Sequence, residues 1–241
     1  MRIPWCAIAL AVLPVTLLAC GGREPPASSA PAVTPTAPTP ATGSAAALDP
    51  RTEAGLQLLR RRPAWLFPAA ECPADVAATR EETTTSLAEA CIPDLSTCLD
   101  RCRTGESNFC YASALRVQEL ARDTVGSEAL FLRACRLGTM SGCTNRAAGI
   151  VTDEPERPGG DECATRTFRT MCDRQDPWAC AMFGFHLKLG RGVEQDLDRA
   201  LEVLRRTCSL DKDDPACHAA LELIADIEAS RANAPATPAS P

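Results

Sequence analysis

Four cysteine pairs at nearly constant spacing constrain this 241-residue chain more than any other feature. Cys102 and Cys110, Cys135 and Cys143, and Cys172 and Cys180 each enclose seven residues, and Cys208 and Cys217 enclose eight. The leading cysteines follow one another at 33, 37 and 36 residues, a period that belongs to helix–turn–helix repeats. On one uninterrupted helix, cysteines eight apart would stand about 12 Å from each other. A disulfide needs Cα atoms within about 7 Å. The helix must therefore break inside each pair, and a breaker is present every time: Gly105, Gly138 with Gly142, Pro177, and Pro215. The spacing predicts that each bridge staples the end of one helix to the start of the next, contributing roughly 2–3 kcal/mol by chain entropy.

Between staples the pattern is that of paired amphipathic helices. The clearest copy predicts a helix over 181–189 with Phe183 and Leu187 on one face and Gly184 allowing close approach. Gly190-Arg191-Gly192 ends it, and Asp196 caps a second helix carrying Leu197, Leu201, Leu204 and Cys208. The copy from Cys110 has Ala114 and Val117, then a second helix through Ala129, Leu130 and Ala134. The copy from Cys143 has Ala147 and Ile150, followed by a long polar connection over 153–160. A last helix over 216–229, with Leu221, Ile224 and Ile227 facing inward, closes the stack. The fold class is all-α: a short disulfide-stapled helix–turn–helix repeat solenoid, a tetratricopeptide-like superhelix, over 102–230.

The string Cys180-x-x-Phe183-Gly184-x-x-Leu187-x-x-Gly190-x-Gly192-Val193-x-x-Asp196-x-x-x-Ala200, followed by Cys208, resembles the Sel-one-like repeat. Its cysteine version is similar to the cysteine-rich Hcp-type secreted repeat proteins of bacteria. The match is close over 172–217 and partial over 102–171, where the copies at Cys110 and Cys143 lack the Gly-x-Gly turn. Stacked helix pairs produce a curved surface from their first helices, and this favours a non-catalytic protein-binding or scaffolding role. Some Hcp-type proteins are described as penicillin-binding or weakly β-lactamase-active, so the resemblance implies an alternative: a β-lactamase or peptidoglycan-related hydrolase.

The chain ends differ from its middle. Residues 1–19 have the form of a signal peptide, with Arg2 and an apolar run over 7–18 too short for a comfortable membrane span. Leu17-Leu18-Ala19-Cys20 resembles a bacterial lipobox, which implies lipidation at Cys20, an ordinary secretory signal being the alternative. Gly21 after it, with no aspartate there, resembles the pattern of outer-membrane lipoproteins facing periplasm or exterior. Cys6 would leave with the signal. Residues 20–50 then read as a lipidated cysteine and a disordered Pro/Ala/Thr-rich tether, reaching at most roughly 90 Å. Residues 231–241 read as a disordered tail of the same composition.

Residues 51–101 form an N-terminal helical cap region. A helix over 52–62 with Leu56, Leu58 and Leu59, an apolar Trp65-Leu66-Phe67 segment packing on the first repeat, and a helix over 75–90 are expected. The Arg60-Arg61-Arg62 run reads as a solvated helix end, with a lipid-headgroup contact as the alternative. Of the remaining cysteines, Cys91 and Cys98 are the preferred local bridge, and Cys72 and Cys163 either pair over a long range or stay free.

A net charge of -6 argues against a nucleic-acid partner. Two histidines and no Cys-x-x-Cys argue against zinc; fourteen cysteines behind an export signal imply an oxidising compartment. No catalytic or metal site is assigned, and no cofactor motif is present. Ser209-Leu210-Asp211-Lys212 matches Ser-x-x-Lys as a chance occurrence, without its partner motifs. His186 and His218 read as helix-surface residues, and Asp211, Asp213 and Asp214 as a solvated turn rather than a calcium site. The second and sixth positions after each second cysteine vary, while the fourth and seventh are small or apolar. That variation nominates Arg116, Asn145, Met182 and His186 as a partner-binding face, for a protein partner or a cell-wall glycan, with a simply solvated face as the alternative.

Overall fold

The computed structural model describes residues 48–67, 70–78, 88–120 and 123–233. The expected signal peptide, Cys20, almost all of the tether and the tail beyond 233 lie outside these residues. All regular structure among the described residues is helical. In chain order the α-helices are α1 (Pro50–Arg60), α2 (Pro73–Val76), α3 (Leu95–Arg103), α4 (Ser107–Glu119), α5 (Thr124–Arg136), α6 (Met140–Asp153), α7 (Gly160–Asp173), α8 (Pro177–Leu189), α9 (Leu197–Leu210) and α10 (Pro215–Ala232), with a 3-10 turn at Ala88–Cys91. None is long and apolar enough to cross a membrane.

Each repeat cysteine pair closes a helix–helix corner. Cys102–Cys110, Cys135–Cys143, Cys172–Cys180 and Cys208–Cys217 join α3 to α4, α5 to α6, α7 to α8 and α9 to α10, at Cα separations of 4.5–4.6 Å. Gly105 and Gly138 turn the first two corners in the left-handed region, at φ 104° and 113°. Gln175, at φ 71°, does so at the third. Asp176 then caps α8 by accepting from the Ala179 amide, with Pro177 in the first turn. Gly142 is not a breaker. It lies inside α6, where an added Cβ would come within 2.8 Å of the Ala134 Cβ and 2.9 Å of the Phe131 carbonyl oxygen. Its role is close approach of α6 to α5.

Successive helices pack on one another from α3 to α10, and α8 also touches α6 and α10. The first helices of the repeats (α4, α6, α8, α10) therefore alternate with the second ones (α5, α7, α9), which is the ordering of a helical repeat solenoid. The fourth and seventh positions behave as core: Ala114, Val117, Ala147, Ile150 and Leu187 are buried, and so is Gly184. A Cβ on Gly184 would meet Leu204 Cγ at 2.5 Å, so this glycine sets the α8–α9 spacing. Asp196 caps α9 through the Arg199 amide, as expected. In α10 only Ile227 of the expected inward set is fully buried; Leu221 is 52% exposed. No helix follows α10 among the described residues. α10 also runs through Arg231 and Ala232, into the stretch expected to be tail.

The N-terminal region departs most from expectation. α1 forms, and Leu56, Leu59 and Leu66 join Leu95, Leu99 and Phe109 in one apolar cluster. The helix expected over 75–90 is interrupted at its start: α2 stops at Val76, and Ala77 is extended at φ -60°, ψ 129°, while residues 79–87 of that span lie outside the described residues. Residues 72–78 instead lie as a strap across α5, α6 and α7. The Ala78 amide donates to the Cys135 carbonyl (3.3 Å), and the Arg174 guanidinium donates to the Ala78 carbonyl (2.8 Å). These backbone groups are committed to the repeats, so they are not free for a continuing helix. Arg166 pairs with Asp75 at 2.8 Å. Cys72 and Cys163 are bonded, 91 positions apart in sequence, and Cys91–Cys98 is also formed. Six disulfides in one chain indicate an oxidising, extracytoplasmic environment.

The Cys72–Cys163 bond closes the longest disulfide loop among the described residues, so it holds the strap by entropy more than any short staple does. Replacing both cysteines with serine should lower stability by about 2–4 kcal/mol. In hydrogen exchange the Ala78 amide should lose protection while α8 to α10 keep theirs. Uniform loss across the whole stack would show that the strap is not a separate element.

Candidate binding cleft

The column nominated from sequence variation is not a free face. Ala112, Gly149 and His186 are buried, and Arg116, Asn145 and Met182 are only partly accessible. The cause is repeat-to-repeat packing. The sixth position points at the second helix of the preceding repeat: Gly149 lies against Glu128 of α5, and His186 against Thr165 of α7. The second position reaches the preceding first helix, where Asn145 donates to the Tyr111 hydroxyl at 3.3 Å. Met182 packs on the C-terminal core, and Arg116 pairs with Glu119 on its own helix.

His186 is thus a core residue rather than a helix-surface one. Thr165 Oγ1 donates to the Arg191 carbonyl at 2.7 Å and sits 2.7 Å from His186 Nδ1, so Nδ1 is the protonated nitrogen. Nε2 is buried with no partner, beside the Phe168 ring. Burial holds the imidazole down at about 4. The Thr165 hydroxyl of α7 donating to the Arg191 carbonyl gives the Gly-x-Gly turn a second task, binding α8 back onto α7. His218 is exposed.

An open cleft of about 1200 Å³ lies elsewhere, between the N-terminal segment and the α5–α6 hairpin. Its walls are Ala64, Phe67, Val125, Ala129 and Pro158. Val125, in the first turn of α5, is 47% exposed there. Charged side chains line it as well. Arg146 of α6 is 2% exposed and donates to Glu128 of α5 (2.9 Å) and to Glu154 (2.6 Å). Glu154 also accepts from Arg157 (3.0 Å), which donates in turn to the Ala70 carbonyl of the N-terminal segment. A chain of four alternating charges therefore links α5, α6, the polar 153–160 connection and the segment leading into the strap. Arg146 Nε is buried without an acceptor.

The two carboxylates differ in electrostatics. Burial pushes Glu128 up to about 7 against the pull of Arg146, and the charges of Asp153 and Glu154 add to the rise. Glu154 is also penalised by burial, but its bonds and charges with Arg157 and Arg146 bring it below its ordinary value. One guanidinium is thus shared by two acids, and Glu154 has Arg157 as a second cation.

Ser209 and Lys212 lie outside this cleft. Ser209 Oγ, in the last turn of α9, donates to the Arg205 carbonyl at 3.3 Å, and Lys212 Nζ pairs with Asp213 on an exposed turn. The Asp211–Asp214 turn is closed by its own contacts, the Asp213 amide on Asp211 and the Ala216 amide on Asp214. No cluster of metal-ligating side chains occurs among the described residues. The Arg60-Arg61-Arg62 run is exposed, with Arg60 paired to Glu53 and Arg62 over the Phe67 ring at the cleft edge. Compared with known proteins, the chain matches no family model, no curated protein and no solved structure.

Glu128 and His186 give opposite pH signatures. The folded state binds the extra proton at Glu128 between about pH 4.5 and 7, so that group's contribution to stability falls as pH rises through this window. At His186 the unfolded chain binds the extra proton between about pH 4 and 6.5, so stability falls as pH drops through it. Thermal melts of Glu128→Gln and His186→Gln against wild type should show differences that change by up to about 3 kcal/mol across the respective windows, with opposite slopes. Curves parallel to wild type would contradict the two burials.

Proposed function

We propose that the chain is a lipid-anchored, extracytoplasmic binding module of the Sel-one-like, Hcp-type kind, presenting the cleft between its N-terminal segment and the α5–α6 hairpin to a protein segment. The cleft carries this reading: about 1200 Å³ of open space with an apolar rim and charges held rigidly at its floor. Such a mixture of apolar wall and a few fixed polar groups is the usual composition of a ligand site. The lipobox-like Leu17-Leu18-Ala19-Cys20, with Gly21 after it, supports attachment to the outer membrane through Cys20. The tether behind it would let the module stand off the bilayer.

Two measurements test the reading. Fatty-acid labelling and membrane partitioning should both be lost on Cys20→Ala; a variant that still partitions fully with membranes removes the anchor. A photo-crosslinking amino acid at Val125 should capture a defined partner in cells, while the same group at exposed Glu222 on α10 should not. Equal capture at both positions, or none at Val125, would contradict a binding role for the cleft.

A further inference from the structure

The first helix of the fold is cationic although the chain as a whole is acidic. Residues 48–67 carry four arginines, Arg51, Arg60, Arg61 and Arg62, against two acids, Asp49 and Glu53, which is +2 in a chain of -6. Asp49 is engaged in capping α1 through the Arg51 amide, and Glu53 accepts from Arg60 at 2.7 Å. Arg51 pairs with Asp94. Arg61 and Arg62 are both exposed, and neither pairs with an acid among the described residues. Helical period sets how these charges face. Leu56 and Leu59 turn one side of α1 into the core against α3. The opposite side is Ala54, Gln57 and Arg61, all exposed, with exposed Arg51 and Arg60 on its two edges. Glu53, the one carboxylate within α1, lies at the edge beside Arg60. Arg62 follows at once, in the left-handed region at φ 49°. The outer face of α1 is therefore positive and free of competing acids along its centre.

We propose that this face of α1, with Arg61 and Arg62 at its end, docks on the phosphate headgroups of anionic phospholipid and so fixes which side of the module turns toward the membrane. The proposal rests on the anchor reading above and names the surface that the anchor would bring to the bilayer. Pro50, the first residue of α1, follows Cys20 by 30 positions, so α1 is the first α-helix of the described fold that an anchored chain reaches. A link of that kind raises the effective concentration of the surface to roughly the millimolar range, where a weak contact is enough to be populated. Each arginine beside an anionic leaflet adds about fivefold to binding. The net negative charge of the chain repels the same leaflet, which leaves the outer face of α1 as the side that approaches it.

The test uses the purified chain from residue 20 carrying Cys20→Ser, so that no lipid of its own contributes. It is sedimented with vesicles of phosphatidylcholine alone or with about one-third phosphatidylglycerol, at low and high salt. Partitioning onto the anionic vesicles should be at least about twentyfold stronger than onto the neutral ones, and high salt should abolish the difference. Arg61→Gln combined with Arg62→Asn should remove about twentyfold, roughly fivefold per arginine; asparagine suits the left-handed backbone at position 62. Arg61→Lys with Arg62→Lys should keep the binding. Arg205→Gln with Arg231→Gln, on α9 and α10, removes the same net charge from exposed positions and should leave partitioning unchanged. Thermal melts of the two neutralising variants should match wild type, since none of the four side chains is buried. Equal partitioning onto both kinds of vesicle, or equal loss in the two neutralising variants, would overturn the docking face. If a hexaglutamate peptide binds through Arg61 and Arg62 as tightly as the vesicles do, the partner is an acidic protein segment and the lipid is overturned. If anionic vesicles do not bind while fatty acid labels Cys20, the docking fails and the anchor reading stands. If they bind through Arg61 and Arg62 without labelling at Cys20, the docking face stands and the anchor reading fails.

Discussion

The structure depends on one constraint repeated four times: a disulfide that forces a helix to end and its successor to begin within a few residues. With Cα atoms at 4.5–4.6 Å, the paired cysteines fix where each corner lies along both helices. Packing follows from that register. Positions four and seven after Cys110, Cys143 and Cys180 face inward, so small residues there bring helices close: Ala114, Ala147, Gly184. The buried residues fall into separate clusters, with one toward each end of the stack. Two-helix units with cores this small have little stability of their own, and neighbouring units with covalent corners supply it.

The strap extends the same logic to longer range. Cys72–Cys163 ties the N-terminal segment to α7, and the segment's own amide and carbonyl groups bond to α5 and α7. This brings Phe67 and Ala70 up to the α5–α6 hairpin and so creates the cleft wall. The charge chain from Glu128 to Arg157 crosses that gap and ends on the Ala70 carbonyl. The cleft is a product of long-range covalent closure together with a buried ion network; neither the repeats nor the cap would form it alone. Buried pairs of this kind add little net stability; what this one does is hold Glu128, Arg146, Glu154 and Arg157 in fixed positions along the cleft.

Much of the repeat was legible because its signals are local. Cysteine spacing, glycine at Gly105 and Gly138, and the cap Asp196 each act within a few residues of themselves. The buried columns were legible for the same reason, since helical period alone assigns them. What failed depended on neighbours distant in sequence. Variation at positions two and six cannot distinguish solvent from a contact that changes in step with its partner, as Gly149 does with Glu128 and His186 with Thr165. The segment from Asp75 had helical composition, yet bonds to Cys135 and Arg174 held it as a strap. The cleft left only a faint mark: arginines and acids interleaved from Arg146 to Arg157 around a connection too polar to be a mere turn. Glu128 gave no sign at all, because what makes it unusual is burial beside a helix 18 residues further on.

Mass mapping of non-reduced peptides from exported protein tests the account most directly. It should return the four corner bonds, Cys91–Cys98 and, above all, Cys72 joined to Cys163. Free thiols at Cys172 and Cys180, or Cys72 joined to any other cysteine, would contradict a stapled solenoid whose N-terminal strap builds the cleft.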